Sequence, residues 1–343
     1  MPYKIYHHPD SFPLQRGGVL KSLTLAYNTF GHLNERRDNV VWVCHALTAN
    51  SDVADWWLHT VESGCFLDPD RWFIVCVNIP GSCYGSTGPL SINPETGEPY
   101  YEDFPKLSIR DVVNALRLVA DHLGIKRIHA LVGSSVGGFQ AMEWAAMEPE
   151  RFEKLVFMAT APYASPWNIA LNETQRMAIH ADASWGARRS DAGAAGLAAA
   201  RAIGLLSYRG PEGYNLTQQD RCLGDTVPDD HRACSYQRYQ GEKLVNRFDA
   251  YSYLAILDTF DTHDIGRGRG GRQCSLDRIA NGGADILVIG LSTDLVFTPA
   301  EMKELHRQLP GSRYEEIDSP FGHDGFLVEH EKLNSILVPF LNS

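Results

Sequence analysis

Short apolar runs rich in β-branched residues punctuate this chain at Val40–Cys44, Trp72–Asn78, Ile128–Gly133, Leu155–Ala159 and Ile286–Leu291. Most are continuously apolar rather than alternating, as expected of strands buried on both faces of a parallel sheet. Between them, Ile109–Leu123 and Gly138–Met147 have the spacing of helices. Strand and helix in alternation predict an α/β fold built on a doubly wound sheet.

The alternation stops near Pro162 and returns at Ile286. In between lies Ala-rich and Gln/Arg-rich text, with helices expected over Asn172–Ala183, Ala192–Tyr208 and Ser235–Phe248. Residues 1–162 and 284–343 are therefore expected to form the sheet domain, and residues 163–283 a helical insertion. After Ile286–Leu291 the pattern predicts a helix near Pro299–Leu309, a strand near Arg313–Ile317 and a final helix. The run Gly266–Gly271, with Arg267 and Arg269, has the look of a short RNA-binding tract, but two arginines in an acidic chain favour a loop or helix cap.

The length of 343 residues, with 44% hydrophobic residues, supports a large core. Lys and Arg number 31 against 42 Asp and Glu, a net charge of −11 that argues against nucleic acid as a partner. The seven cysteines, at 44, 65, 76, 83, 222, 234 and 274, include no CxxC pair. Their odd number suits reduced thiols in a cytoplasmic protein, and their spacing does not suit zinc. No apolar run approaches the roughly 18 residues of a membrane span, and the N-terminus lacks an apolar signal region.

The strand at Ile128 runs into Gly133-Ser134-Ser135-Val136-Gly137 and then into helical text. Strand, G-x-S-x-G, helix is the arrangement that lifts a serine oxygen above a sheet on a strained turn, with flanking glycines avoiding clashes. Ser135 is the candidate nucleophile; Ser134 is a rival by position only. The Val136 N–H, at the helix start, can stabilise an oxyanion. In such a fold the acid and then the histidine follow in sequence. Asp294 lies just past the strand Ile286–Leu291, and His323 lies in a loop after the next strand. They are the expected acid and base, with Asp318 and Asp324 as competing acids. A second oxyanion donor is expected after Val40–Cys44, at the Leu47 N–H, with His45 holding that turn.

Arg201 stands alone in the small and apolar segment Ala192–Leu206, so it needs an anionic partner, either an internal carboxylate or a substrate's. Tyr208 is two helical turns on and shares its face. Asp324 offers an anion for an ammonium group. A cation and an anion flanking one nucleophile would suit an amino acid.

With these motifs in view, the sequence resembles the homoserine O-acetyltransferase family, within the α/β-hydrolase superfold. The resemblance spans nearly the whole chain and rests on Leu25-Ala26-Tyr27-Asn28-Thr29-Phe30-Gly31, Val43-Cys44-His45-Ala46-Leu47-Thr48, Gly81–Pro89, Tyr236–Gly241, Gly266–Gly271 and Asp318–Asp324. It implies a Ser135–His323–Asp294 triad, Leu47 and Val136 as oxyanion donors, Arg201 and Tyr208 at the homoserine carboxylate and Asp324 at its amine. It further implies acetyl-CoA as co-substrate with no cofactor, a lid formed by the helical insertion, and a homodimer made through that lid. Where the family usually reads Gly-Gly-Ser, this chain has Gly133-Ser134-Ser135. Similar enzymes that take succinyl-CoA typically carry Arg two residues after the acid; Val296 stands there and favours acetyl-CoA. L-serine as acceptor, or a carboxylic-ester hydrolase using the same triad, are the alternatives.

Overall fold

The computed structural model describes residues 2–220, 227 and 229–343. Eight strands form one sheet: β1 (Lys4–His8), β2 (Leu23–Phe30), β3 (Val40–Cys44), β4 (Phe73–Val77), β5 (Ile128–Ser134), β6 (Phe152–Met158), β7 (Asp285–Leu291) and β8 (Arg313–Ile317). Their order across the sheet is β1-β2-β4-β3-β5-β6-β7-β8. The pairs from β4 to β8 are parallel, and β2 runs antiparallel to both β1 and β4.

The central strands are buried on both faces, as their unbroken apolar text requires. Trp42, Val75, Leu131, Leu155, Phe157 and Val288 face one core. Val41, Ile74, Val132, Val156 and Ile289 face the other. Helices α1 (Ile109–His122) and α2 (Val136–Met147) pack on the first face. The C-terminal helix, His330–Asn342, covers the second through Leu333, Leu337 and Phe340. Helix α1 starts where the sequence supplies a capping box: Ser108 Oγ accepts from the Asp111 N–H, and the Asp111 carboxylate accepts from the Ser108 N–H.

Among the described residues between β6 and β7 there are five helices: α3 (Pro166–His180), α4 (Ala194–Thr217), α5 (Arg232–Val245), α6 (Ala250–Asp261) and α7 (Arg272–Ala280). Among the described residues of this stretch there is no strand, only an isolated bridge between Tyr163 and Asp264. Helix α4 runs past the expected Tyr208 end because the chain kinks at Gly210 (φ 64°, ψ 172°) and resumes with Pro211 rather than stopping. Helix α8 (Pro299–Gln308) follows β7, with Thr298 and Glu301 forming its capping box.

The Gly266–Gly271 run is a loop that clamps α2. Arg269 Nη2 and Nη1 bind the buried Glu143 carboxylate at 2.6 and 2.9 Å, and Arg110 Nε binds it at 2.6 Å. Arg110 Nη2 also donates to the Arg267 carbonyl at 3.0 Å. Six cysteines are unpaired, and Cys222 lies outside the described residues. Among the described residues, no helix is long and apolar enough to cross a membrane.

Candidate active site

The turn at the end of β5 puts Ser135 at φ 57°, ψ −127°, as the N-cap of α2. Such a positive φ is strained for a residue with a Cβ and is held by its surroundings. The Ser135 N–H donates to the Met158 carbonyl at 3.0 Å, and the Ser135 carbonyl accepts from Thr160 Oγ1 at 2.7 Å. The glycines on either side are there for close approach. A Cβ on Gly137 would lie 2.1 Å from the Cys44 carbonyl oxygen, and one on Gly133 would lie 2.4 Å from the Gly137 carbonyl oxygen. The neighbouring Ser134 hydroxyl is buried and has no hydrogen-bond partner, so only Ser135 meets the imidazole.

His323 sits in a single helical turn, Gly322–Asp324, beyond β8. Its Nε2 is 2.8 Å from Ser135 Oγ and its Nδ1 is 2.7 Å from Asp294 Oδ2. A carboxylate only accepts, so Nδ1 carries the proton and Nε2 accepts from the serine hydroxyl. Asp294 Oδ1 accepts from the Val296 and Phe297 N–H groups at 2.7 and 3.0 Å. Both carboxylate oxygens are thus engaged and the orientation of the ring is fixed. The loops after β7 and β8 are stitched together: Thr293 Oγ1 donates to the Ser319 carbonyl at 2.6 Å and accepts from the Gly322 N–H at 2.9 Å. The rival Asp318 accepts from Ser292 Oγ at 3.0 Å in the same seam.

Ser135 and His323 open into a cavity of about 610 Å³, also lined by Leu47, Val136, Arg201, Tyr208, Val296 and Asp324. The triad serine and histidine, both expected oxyanion donors, the three expected substrate-binding residues and Val296 therefore border one space, and Asp294 stands directly behind His323. The Val136 N–H belongs to the first turn of α2, whose amides have no acceptor within the helix. His45 is fully buried beneath the Leu47 turn. Its Nδ1–H donates to the Ala46 carbonyl at 2.9 Å and its Nε2 accepts from the Ile79 N–H at 3.2 Å. Burial lowers its pKa to about 4, so the ring stays neutral.

Arg201 lies 5.7 Å from the Tyr208 ring centroid and forms no ion pair among the described residues. Burial raises the Tyr208 phenol pKa, while the Arg201 charge opposes that rise. Asp324, expected to meet a substrate ammonium, also has a partner within the chain: its Oδ2 accepts from Arg209 Nε at 2.8 Å. Arg209 follows Tyr208 in sequence and would face away from it on a straight helix. The kink at Gly210 redirects that helix one residue on, and the Gly322 turn packs against this backbone, where a Cβ would lie 2.8 Å from the Tyr208 carbonyl oxygen. Lys243 and Arg247 also border the cavity, and no spacing in the sequence pointed to them. Cys44, Cys76 and Cys83 are not rival nucleophiles: burial raises the pKa of Cys44 and Cys76 and pushes Cys83 up to about 12. No group of three or more His, Cys, Asp or Glu among the described residues is placed to hold a metal ion.

A family profile described as alpha/beta hydrolase fold matches residues 39–330. The homoserine O-acetyltransferase of Cyclobacterium marinum is 44% identical over 340 residues, covering 99% of this chain and 95% of that protein. That of Moorella thermoacetica is 41% identical, covering 98% of this chain and 95% of that protein. The chain belongs to the homoserine O-acetyltransferase family of α/β hydrolases. Within the fold, the structure of the Bacillus anthracis homoserine O-acetyltransferase superimposes with a TM-score of 0.90 at 24% identity, covering 100% of this chain and 98% of that one. Esterase E22 gives 0.88 at 24% identity, covering 99% of each chain. This fold thus carries both acyl transfer and ester hydrolysis, and the family membership rests on the sequence relatives.

Proposed function

We propose that this protein is a homoserine O-acetyltransferase that moves acetyl from acetyl-CoA to the hydroxyl of L-homoserine through an acyl-enzyme on Ser135, a step of methionine biosynthesis. The observation that carries the reading is the Ser135–His323–Asp294 relay opening into a cavity that also holds a guanidinium, Arg201, without an ion-pair partner among the described residues. An ester hydrolase needs the relay and has no use for the guanidinium. The identity of 44% to a protein of that name supports the same reading.

In the first half-reaction His323 Nε2 takes the Ser135 proton as Oγ attacks the thioester carbonyl. The oxyanion is held by the N–H groups of Leu47 and Val136. The C–S bond then breaks, His323 returns the proton to sulfur, and CoA leaves as the thiol. In the second half the homoserine hydroxyl gives its proton to His323 and attacks the acetyl-serine. The ester C–O bond to Ser135 breaks, the proton returns to Oγ, and O-acetylhomoserine departs. Asp294 keeps the proton on Nδ1 and offsets the imidazolium charge in both halves.

Arg201 and Tyr208 receive the homoserine carboxylate. Asp324 receives its ammonium through Oδ1, since Oδ2 is occupied by Arg209. Val296 stands two residues after the acid, where the succinyl-CoA enzymes carry Arg, and its apolar side chain supports the acetyl donor. No cofactor takes part. Residues 163–283 act as a lid: they supply Asn168, Gln175, Arg201, Tyr208, Arg209, Lys243, Arg247 and Phe260 to the cavity wall. Covering the acyl-enzyme disfavours water as acceptor. The same helices expose Trp167, Met177, Leu206 and Leu216, apolar surface that supports a homodimer formed through the lid; the unpaired cysteines among the described residues suit the reducing cytoplasm.

The test is to mix the protein with acetyl-CoA alone and look by mass spectrometry for an acetyl group on the Ser135 peptide. The reading expects the adduct in the wild type, its loss in Ser135→Ala, and its discharge on adding L-homoserine. An adduct that water removes as fast as homoserine does would make the protein a hydrolase.

A further inference from the structure

The cavity wall is basic within an acidic chain. Arg201, Arg209, Lys243 and Arg247 border it, against two carboxylates, Asp55 and Asp324. Arg209 is neutralised by Asp324. Lys243 on α5 and Arg247 just beyond it form no ion pair among the described residues. Both residues are exposed while still bordering the cavity, so they stand at its opening. The Arg247 guanidinium is nevertheless fixed. Its Nη1 donates to the Thr48 carbonyl at 2.5 Å and to the Tyr84 hydroxyl at 2.6 Å, and its Nη2 donates to Thr48 Oγ1 at 3.2 Å. All these acceptors are neutral, so the guanidinium is aimed without being held in an ion pair among the described residues. The other charged group at this end, Asp55, accepts from Asn50 Nδ2 at 3.2 Å.

We infer that Lys243 and Arg247 form a phosphate subsite for the nucleotide end of the thioester donor. The inference rests on the acyl-CoA reading of the site. In CoA the phosphates lie at the far end of the pantetheine arm from the sulfur. With the acyl carbon at Ser135, the arm runs along the cavity and delivers the phosphates to its opening. The acceptor amino acid carries no phosphate, so a phosphate subsite serves the donor. Two cations without ion-pair partners among the described residues, at the entrance of a concave site, also concentrate an anionic ligand before it docks.

The experiment compares binding of CoA and of pantetheine, which has the same thiol arm and no phosphate, by calorimetry on the wild type, Lys243→Gln and Arg247→Gln. The wild type should bind CoA at least about tenfold more tightly than pantetheine, and each substitution should cut that ratio roughly three- to tenfold. Added salt should weaken CoA binding and leave pantetheine binding nearly constant. Equal binding of the two ligands by the wild type, or a ratio that neither substitution moves, overturns the subsite. Lys243 makes no side-chain hydrogen bond among the described residues, so Lys243→Gln decides the matter if Arg247→Gln also disturbs the Thr48 loop. Acetylpantetheine separates this inference from the reading beneath it. Homoserine-dependent thiol release from acetylpantetheine tests acyl transfer with no phosphate present, so either claim can fail alone.

Discussion

Replacing Asp294 with Asn tests the relay without emptying it. Asp294 Oδ1 accepts two backbone N–H groups, at 2.7 and 3.0 Å, and Oδ2 accepts the His323 Nδ1 proton at 2.7 Å. Asn is nearly isosteric but has one acceptor oxygen. The two backbone donors hold that oxygen, because turning the NH2 group toward them would bury opposed donors. The amide nitrogen therefore faces His323 and donates to Nδ1. The imidazole proton moves to Nε2, where it points at Ser135 Oγ and cannot accept the serine proton. Loss of the correct tautomer costs a factor of ~10⁴ in kcat in the comparable serine relay, or about 5.5 kcal/mol of barrier. The fold should survive, since both backbone N–H bonds and the side-chain volume are kept. The assay is single-turnover acetylation of Ser135 by acetyl-CoA, with thermal melting as the control. A loss below about tenfold in a folded variant would refute the reasoning, because it would mean that Asp294 does not set the imidazole tautomer.

Arg201→Ala should lower kcat/KM for homoserine by about 30- to 150-fold, while acetylation of Ser135 proceeds. It should shift stability by no more than about 0.5 kcal/mol, because no internal carboxylate loses a partner. Acylation falling as far as acceptor use would contradict the assignment. Glu143→Ala should destabilise the protein by about 3 kcal/mol, since it strands the Arg110 and Arg269 guanidinium groups over α2; an unchanged denaturation midpoint would count against the clamp. Acid should destabilise the fold through His45 and His263, whose pKa values burial lowers to about 4. Both are neutral above pH about 6.5 in either state, but below it the unfolded chain takes up protons that the native chain refuses. Stability is thus complete above pH about 6.5 and falls toward pH about 4, by roughly 3 kcal/mol per histidine. Urea melts between pH 7 and 5 check this, and a flat profile there would refute it.

The strands legible in the sequence were those whose burial on both faces leaves an unbroken apolar run. β3 and β8 fall where the pattern put them, and β4 to β7 within a few residues. β1 and β2 were not, because Lys4–His8 is a mostly exposed edge strand with charged and polar residues, and Leu23–Phe30 interleaves Thr and Asn with its apolar positions. Helix α6, Ala250–Asp261, also escaped, since its Tyr, Ile, Thr and Phe content suits strand as well as helix. Ser135, Asp294 and His323 were readable because a glycine-flanked turn and a fixed chain order carry their geometry. Arg209, Lys243 and Arg247 were not. Their meeting depends on a kink at Gly210 and on how α5 lies over the Thr48 loop, neither of which has a local signature.

The most direct test of acyl transfer is thiol release from acetyl-CoA by the purified protein, with and without L-homoserine, with the product identified. The account predicts release that depends on homoserine and yields O-acetylhomoserine in equal amount. Release that proceeds at the same rate without homoserine, yielding acetate, would contradict it.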